Sequence, residues 1–303
     1  MNAPPSHGRI DTAAINDRQT ACDYYPCRQI RPHHGEPISH LTGDACRLDG
    51  ARPLGFCGGL RSECPISESS GIYVIRVISY NLRKNHASGE LVELVQKFSP
   101  DVLCLQECDT TDLPVEVGHL RLADSTKRNR LGLAVYYRTD RFSARETQAF
   151  ALKKSLHDHV LKPAHERLIG TRLVDHETNR ELVVASFHAA PLTARNSLRR
   201  EQIRAAHELL LTLGHGLPTL MVGDYNYPLF HSNLTQRVNE SGYDLSLSDR
   251  RTYTRYRFFR GHFDFATSVG LGIDSVETLD RGASDHMPIM VSASYKENVA
   301  AAA

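Results

Sequence analysis

Short apolar runs alternate with longer amphipathic segments between residues 72 and 295. A short apolar run bounded by turn residues is typical of a buried strand, and apolar residues three or four positions apart are typical of a helix. The runs rich in strand-forming residues are IYVIRVISY, PDVLCLQE, LGLAVYYR, ERLIGTRLV, ELVVASFH, PTLMVGD, GHFDFATS and MPIMVSASY. Each of these runs predicts a β-strand.

Two segments predict helices. SGELVELVQKF predicts a capped amphipathic helix, and its apolar stripe consists of Leu91, Val92, Leu94, Val95 and Phe98. SLRREQIRAAHELLLTLG predicts a long amphipathic helix that ends at Gly214. Many strands, two clear helices and long loops indicate an α/β or α+β sandwich, in which a layered sheet core is flanked by helices.

The chain divides into three parts by pattern. Residues 1–70 hold five of the seven cysteines and seven of the fourteen prolines without a sustained period, which predicts a poorly ordered extension. An upstream start of translation, with Val74 as the true start, is the alternative. Residues 71–296 carry the regular pattern and predict the folded domain, and residues 297–303 predict a tail.

Composition and cysteine usage exclude several classes of protein. The 303 residues carry a net charge of +1 and are 41% hydrophobic, which is ordinary for a soluble protein. The odd number of cysteines and the absence of a C-x-x-C pair argue against a complete disulfide framework and a zinc ribbon. No apolar run approaches a membrane span, and no secretory signal is recognisable, so a cytoplasmic location is expected.

Charge is unevenly distributed along the chain. Between residues 121 and 172, twelve Lys or Arg residues face five Asp or Glu residues, and RRTYTRYRFFR (250–260) has five arginines and no acid. Such runs indicate either an anionic partner or a solvated face. In the second run the aromatic residues suit base stacking, or they pack inward from a strand while the arginines face water.

Polar residues recur where the predicted strands end or begin. Asn81 and Glu107 end the first two strands, and His188 ends a third. PTLMVGD ends in Asp224 with Asn226 two residues later, and extended backbone puts such a pair on one side. The remaining three are Asp264, Asp285 and His286. If these strand ends meet at one edge, they form an acidic cleft that contains histidine.

The motifs SYN (79–81), LQE (105–107), FHAAPL (187–192), GDYN (223–226), FDF (263–265) and SDHMP (284–288) occur in an order that resembles the endonuclease/exonuclease/phosphatase superfamily. The resemblance covers residues 74–295. It implies a four-layered α/β sandwich of two packed mixed β-sheets flanked by helices. It also implies Mg²⁺-dependent cleavage of phosphate esters by a deoxyribonuclease-like phosphodiesterase.

The resemblance implies a role for each candidate residue. Glu107, Asn81 and Asp285 correspond to ligands of Mg²⁺, which prefers oxygen donors, and Mn²⁺ is expected to substitute. Asp224 corresponds to the residue that orients or deprotonates the attacking water, and Asn226 steadies it. Asp264 and His286 correspond to an Asp–His pair that stabilises the phosphoryl oxygens, and His188 to the group that protonates the leaving oxygen. Arg167 resembles a phosphate-contacting arginine.

Three functions remain open. The site residues and basic runs favour an endonuclease-like phosphodiesterase whose partner is nucleic acid or another phosphodiester. A sphingomyelinase-like or phosphatase-like enzyme for lipid or inositol phosphates would use the same residues, although Pro228 departs from the GDLNYR pattern of phosphoinositide phosphatases. A binding module with a decayed site is disfavoured because the set of candidate residues is intact. The sequence gives no oligomeric state.

Overall fold

A computed structural model describes residues 73–127, 131–160, 166–229, 231–255 and 261–296. The predicted N-terminal extension and C-terminal tail lie outside the described residues, so both boundaries stay predictions. The described part of the chain forms two mixed β-sheets with helices on their outer faces.

The strands and helices of the described residues follow the predicted alternation. The strands are β1 (Val74–Asn81), β2 (Val102–Cys108), β3 (Glu116–Val117), β4 (Leu120–Ser125), β5 (Gly132–Arg138), β6 (Phe142–Ala151), β7 (Glu166–Asp175), β8 (Arg180–His188), β9 (Thr219–Asp224), β10 (Asp244–Leu247), β11 (Asp264–Val269), β12 (Leu271–Thr278) and β13 (Ile289–Tyr295). The helices are α1 (Leu91–Phe98), α2 (Leu156–Val160), α3 (Asn196–Leu210) and α4 (His231–Glu240).

The first sheet has the strand order β12-β13-β1-β2-β5-β4-β3, and the second has the order β10-β11-β9-β8-β7-β6. Each sheet contains one parallel pair, β1 with β2 and β8 with β9. The other pairs are antiparallel. The two parallel pairs bring the carboxyl ends of β1, β2, β8 and β9 to sheet edges where candidate residues lie.

Three apolar clusters hold the layers together. The largest lies between the sheets and joins residues such as Val77 of the first sheet to Val184 and Val222 of the second. A second cluster packs α3 and α4 against the second sheet, and a third packs α1 against the first. Helix, sheet, sheet and helix therefore form the four layers that the family resemblance implies.

Both predicted helices form, with local differences. Helix α1 has no side-chain cap, and Val92 of its predicted apolar stripe is 49% exposed, because the buried face is formed by Leu91 and Val95. Helix α3 ends at Leu210 rather than at Gly214. The backbone N–H groups after Leu210 bond three residues back, which tightens the chain into a turn before the glycine.

Strands β3, β4, β6, β10 and β12 and helices α2 and α4 were not among the predicted elements. Strand β6 lies at the edge of the second sheet, and only Phe142 and Phe150 of its ten residues are buried. An edge strand with one solvated face lacks the continuous apolar run on which the predictions relied.

Cations of the predicted basic segment are extensively paired with acids. The pairs are Arg138–Asp101, Arg141–Asp175, Lys153–Glu201, Arg167–Asp158 and Arg172–Glu181. In the described residues the segment therefore does not form one continuous free basic face. No helix in the described part of the chain is both long enough and apolar enough to cross a membrane.

Candidate active site

Three candidate residues lie side by side in the second sheet. His188 at the end of β8 is in parallel register with Asp224 at the end of β9. Asp264 at the start of β11 is in antiparallel register with the same aspartate. A parallel neighbour brings its end to the end of β9, and an antiparallel neighbour brings its beginning there. The strand order therefore joins residues separated by 76 positions.

The first sheet adds Asn81 to this row. Its amide nitrogen donates to Asp224 Oδ2 at 3.1 Å, and its amide oxygen accepts the backbone N–H of Arg83 at 2.9 Å. A carboxylate only accepts hydrogen bonds, so Asp224 fixes the amide orientation of Asn81. The hydrogen bond links the ends of β1 and β9 and therefore joins the two sheets at the site.

Asn226 contacts Asp224 through a turn rather than through extended backbone. Strand β9 ends at Asp224, and Asn226 has a φ of 50° in the left-handed region. Its backbone N–H donates to Asp224 Oδ1 at 2.9 Å, and its amide nitrogen donates to Oδ2 at 3.0 Å. The expected proximity is correct, but the expected extended backbone is wrong. A tight turn returns Asn226 to the carboxylate, and asparagine is among the residues that tolerate this conformation.

A local irregularity positions Glu107. The pairing of β2 with β5 shifts register between Gln106 and Cys108, and Glu107 has a φ of 53°. A β-bulge of this kind changes the direction of a side chain. The Glu107 carboxylate accepts the backbone N–H of Lys84 at 3.0 Å, and its side chain is 19% exposed. Both Glu107 and Lys84 line the cleft described below.

His286 and Asp264 form the predicted pair. His286 Nδ1 lies 2.9 Å from Asp264 Oδ2, and both side chains are buried. The ring of Tyr253 contacts the His286 ring at 4.9 Å between centroids, in an edge-on arrangement. Tyr253 also forms a β-bridge with His286 and is buried, so this aromatic residue of the second basic run packs inward. Residues 256–260 of that run lie outside the described residues.

Asp224 lies between two imidazole rings. Its Oδ2 atom is 3.6 Å from Nε2 of His188 and 3.7 Å from Nε2 of His286. His188 Nε2 is also 3.8 Å from Glu107 Oε1. The carboxylates of Glu107, Asp224 and Asp264 thus surround the rings of His188 and His286.

Burial changes the proton affinity of this cluster. Burial raises the pKa of Asp224 to about 7, and although the charge of His286 opposes the shift, the Asp264 carboxylate adds to it. Burial by itself would lower the pKa of His286, but the carboxylates of Asp264 and Asp224 outweigh it and raise that pKa to about 10. The cluster therefore combines a carboxylate that binds protons readily with an imidazole held in its charged form.

Asp285 faces two arginines that the sequence analysis did not assign to the site. Its Oδ2 atom lies 3.8 Å from Arg83 Nε and 3.7 Å from Arg255 Nη1. Both arginines line the same cleft as Asp285. Their place in the sequence gave a usable signal, since Arg83 follows Asn81 by two residues and Arg255 belongs to the second basic run.

Arg167 is buried beneath the cleft, with 2% of its side chain exposed. One guanidinium nitrogen lies 2.6 Å from Asp158 Oδ1. The other donates to the backbone carbonyl oxygens of His188 and Ala189 at 3.1 and 2.9 Å. The guanidinium of the expected phosphate-contacting arginine is therefore bonded to an acid and to the backbone around His188, while the residue still contributes to the cleft wall.

The donor set suits a hard divalent cation. Glu107 and Asp285 supply carboxylates at the cleft, and the Asn81 amide oxygen keeps a second lone pair beside its bond to Arg83. A different group, Asp224, Asp264 and His286, has ligand atoms within 4.8 Å of one another. The hydrogen bond of His286 Nδ1 to Asp264 already uses part of that group.

Seven of the nine candidate residues line one cleft of about 600 Å³, and the other two, Asn81 and Asp264, are bonded to its lining residues Asp224 and His286. Its walls include Glu107, His188, Asp224, Asp285 and His286, together with basic side chains. Acids that can bind a cation and basic groups that can bind an anion thus share one volume. Such a cleft suits the handling of a phosphate ester.

Comparisons with known proteins agree with this geometry. Residues 78–286 match a family model described as the Endonuclease/Exonuclease/phosphatase family. The sequence is 28% identical over 164 residues to Protein angel of Drosophila melanogaster, and the match covers 49% of this chain and 44% of that protein. The chain thus spans less than half the length of this curated relative.

Solved structures show the same fold at low sequence identity. The mannosyl-6-phosphatase Bt3783 of Bacteroides thetaiotaomicron superposes with a TM-score of 0.61 at 20% identity, covering 73% of this chain and 100% of that chain. ANGEL2, described as a 2′,3′-cyclic phosphatase and solved in complex with adenosine-2′,3′-vanadate, has a TM-score of 0.58 at 15% identity, covering 74% of this chain and 96% of that chain.

Proposed function

The chain belongs to the endonuclease/exonuclease/phosphatase family, whose members are phosphoric ester hydrolases, and we propose that it is a Mg²⁺-dependent phosphodiesterase acting on nucleic acid. The observation that carries the proposal is the position of Asp224 Oδ2. This atom accepts hydrogen bonds from Asn81 and Asn226 and lies within 3.7 Å of two imidazole nitrogens.

Asp224 serves as the base that orients and deprotonates the attacking water. Two amide groups hold its carboxylate, so its orientation is set before substrate binds. Burial raises the pKa of Asp224 to about 7, which makes the carboxylate a stronger proton acceptor than an exposed aspartate. Asn226 also steadies the water or the phosphate from its place beside the same oxygen.

His286 stabilises the negative charge that develops on the phosphoryl oxygens. Asp264 binds Nδ1 and leaves Nε2 directed toward Asp224, into the cleft. The raised pKa of His286 keeps the ring charged at neutral pH, so Nε2–H donates to an anionic oxygen. Asp264 acts by holding the tautomer and the charge of this ring.

His188 supplies the proton to the leaving oxygen. Its Nε2 atom lies 3.6 Å from Asp224 Oδ2 and 3.8 Å from Glu107 Oε1. An imidazole N–H at the cleft wall can donate a proton to the departing alkoxide. The water-activating and leaving-group functions thus fall on separate residues that share one row of the sheet.

Glu107, Asn81 and Asp285 would hold the divalent ion. A bound Mg²⁺ would neutralise charge on the phosphate oxygens and polarise the ester, and Mn²⁺ would substitute for it. The bulge at Glu107 directs its carboxylate to the cleft, and the Lys84 N–H orients it. Arg83 and Arg255 offset the charge of Asp285 and are placed to bind a substrate phosphate.

Nucleic acid is the favoured substrate because the cleft combines these two arginines with Lys84 and His86. A 2′,3′-cyclic phosphate is a second candidate, supported by the fold shared with ANGEL2, which is described as a 2′,3′-cyclic phosphatase. Lipid and inositol phosphates are the third, and Pro228 in GDYNYP counts against the phosphoinositide phosphatases.

The test is a substrate panel with purified protein. It contains bis(p-nitrophenyl) phosphate, single-stranded DNA, RNA, a 2′,3′-cyclic nucleotide, sphingomyelin and inositol phosphates, each with Mg²⁺, Mn²⁺ or EDTA. We expect metal-dependent release of product from the nucleic acid substrates and loss of that activity in EDTA. Equal rates with metal and with EDTA, or cleavage of only sphingomyelin or inositol phosphates, would contradict the proposal.

A further inference from the structure

A groove of about 940 Å³ lies beside the active-site cleft, between helix α2 and the start of helix α3. Thr193 lines both the groove and the cleft, so the two volumes share a wall. We propose that this groove binds the nucleotide next to the scissile phosphate, a site that rests on the phosphodiesterase function proposed above.

The groove has an apolar wall that the fold does not use. Leu156 and Val160 are 87% and 80% exposed although they are large apolar residues. They are four residues apart on helix α2 and therefore lie on one face. Leu198 and Ala194 continue the wall from the other side. Exposed apolar residues that gather in one concavity are typical of binding sites.

The rim of the groove is cationic. Lys154, His159 and Arg195 line it and are exposed. Lys153 is paired with Glu201 at 2.8 Å, whereas among the described residues neither Lys154 nor Arg195 has an acidic side chain within ion-pair distance. Two cations beside an aliphatic wall complement a ligand with an anionic end and a flat apolar body. A nucleotide has both parts.

The groove favours a nucleotide over a lipid chain. Thr193, Ser197 and the cationic side chains interrupt its apolar lining, which suits a nucleotide better than a long acyl chain. Its volume falls within the range of pockets that enclose a drug-sized ligand. The wall shared with the cleft suits a chain that continues from the scissile phosphate.

The test measures binding separately from catalysis. A fluorescein-labelled pentanucleotide DNA is titrated with the full chain in EDTA, and the dissociation constant is read from fluorescence anisotropy at several salt concentrations. The apolar wall is removed in Leu156→Ser/Val160→Ser, and the cationic rim in Lys154→Ala/Arg195→Ala. The matched control is Val92→Ser/Val115→Ser, since both valines are exposed elsewhere on the described chain.

We expect the wall variant to weaken binding about tenfold with an unchanged salt dependence, since it loses only apolar contact. The rim variant should also bind more weakly, and its slope of log K against log salt should fall by about 1.4, or 0.7 for each cation. The control variant should bind like the wild type. Thermal melting checks that all three variants are folded.

Wild-type affinity in both groove variants would overturn the proposal, whether or not the enzyme cleaves DNA. The same variants are also tested on anionic phospholipid vesicles. The proposal would be overturned as well if the groove variants lost binding to the vesicles but kept wild-type binding to the pentanucleotide. If the groove variants lose pentanucleotide binding while the wild type cleaves no phosphodiester with Mg²⁺, the groove stands and the catalytic proposal fails. The two failures are therefore distinguishable.

Discussion

Replacing Arg167 tests whether this residue positions the site or contacts the substrate. The structure surrounds its guanidinium with Asp158 on helix α2 and with the carbonyl oxygens of His188 and Ala189. Arg167→Met keeps the length of the side chain and removes the charge and all its hydrogen bonds. The variant should therefore disturb the backbone that carries His188.

The magnitude follows from burial. Arg167 and Asp158 have side-chain exposures of 2% and 0%, so a lone Asp158 carboxylate would stay away from water. Removing one partner of a buried ion pair costs about 3–5 kcal/mol. The two carbonyl oxygens also lose the guanidinium as a donor, although Ala189 O still accepts from the Asn226 amide at 3.5 Å. About 1–3 kcal/mol is the usual scale for a buried group that is left unsatisfied. These costs overlap, so we expect about 3–5 kcal/mol in total.

The assay combines unfolding in guanidinium chloride with steady-state kinetics on bis(p-nitrophenyl) phosphate. Arg167→Met should lower the free energy of unfolding by the stated amount and reduce kcat more than it changes KM. In Asp158→Leu/Arg167→Met the buried charge is gone, so most of the stability should return. The kcat of the double variant should stay low, because its carbonyl oxygens at His188 and Ala189 still lack the guanidinium.

The opposite result would support the prediction made from the sequence. If Arg167→Met keeps the wild-type stability and kcat but raises KM more than about tenfold, Arg167 contributes uniform substrate binding. The positioning role would then be refuted. The positioning role would also be refuted if Arg167→Met lost both kcat and stability and Asp158→Leu/Arg167→Met regained both. The contacts of the guanidinium with the carbonyl oxygens would then have no effect on activity.

Three further predictions concern stability and metal binding. Burial lowers the pKa of His207 to about 3, so the ring is neutral in the folded protein and gains a proton on unfolding below about pH 6.5. The free energy of unfolding should therefore fall by up to about 1.4 kcal/mol per pH unit between about pH 6.5 and about pH 3. In urea titrations, His207→Asn should show a weaker dependence of this free energy on pH, and an unchanged dependence would contradict the prediction. Gly223 has a φ of 152°, and a Cβ added there would lie 1.9 Å from the backbone oxygen of Phe187 in β8. In thermal unfolding, Gly223→Ala should cost more than about 2 kcal/mol, whereas Gly216→Ala, which has open space around the added Cβ, should cost about 1 kcal/mol. Equal costs would refute the steric argument. Glu107→Gln should weaken Mg²⁺ binding, measured by calorimetry, at least about tenfold. The control Glu93→Gln, on the exposed surface, should bind Mg²⁺ like the wild type. If Glu107→Gln binds Mg²⁺ as tightly as the wild type, Glu107 is not a ligand of the metal.

The sequence predicts the strand ends well because each one combines two local signals. An apolar run specifies a buried strand, and a polar residue at its end marks the sheet edge, as in β1 with Asn81 and β9 with Asp224. The convergence of these ends depends on strand order, which the motif order of a known family supplies. The family and the layered fold are therefore confirmed by the comparisons and the structure.

The geometry of individual side chains depended on features that no local pattern specifies. The left-handed turn at Asn226 and the bulge at Glu107 arise where tertiary contacts fix the backbone. The pairing of Arg167 with Asp158 joins residues whose contact requires the folded position of helix α2. Charge counted along the chain could not identify the ion pairs for the same reason, because the acid partners come from other parts of the fold, such as Asp101 before β2 for Arg138.

The central claim is that Asp224, held at the junction of the two sheets, activates water for phosphodiester hydrolysis. The most direct measurement is the single-turnover rate of bis(p-nitrophenyl) phosphate hydrolysis with saturating Mg²⁺, for the wild type and for Asp224→Asn, which keeps the shape of the side chain. Loss of a general base predicts a rate lower by about 10²–10⁴-fold. A rate for Asp224→Asn within about threefold of the wild type, with the fold intact, would contradict the account.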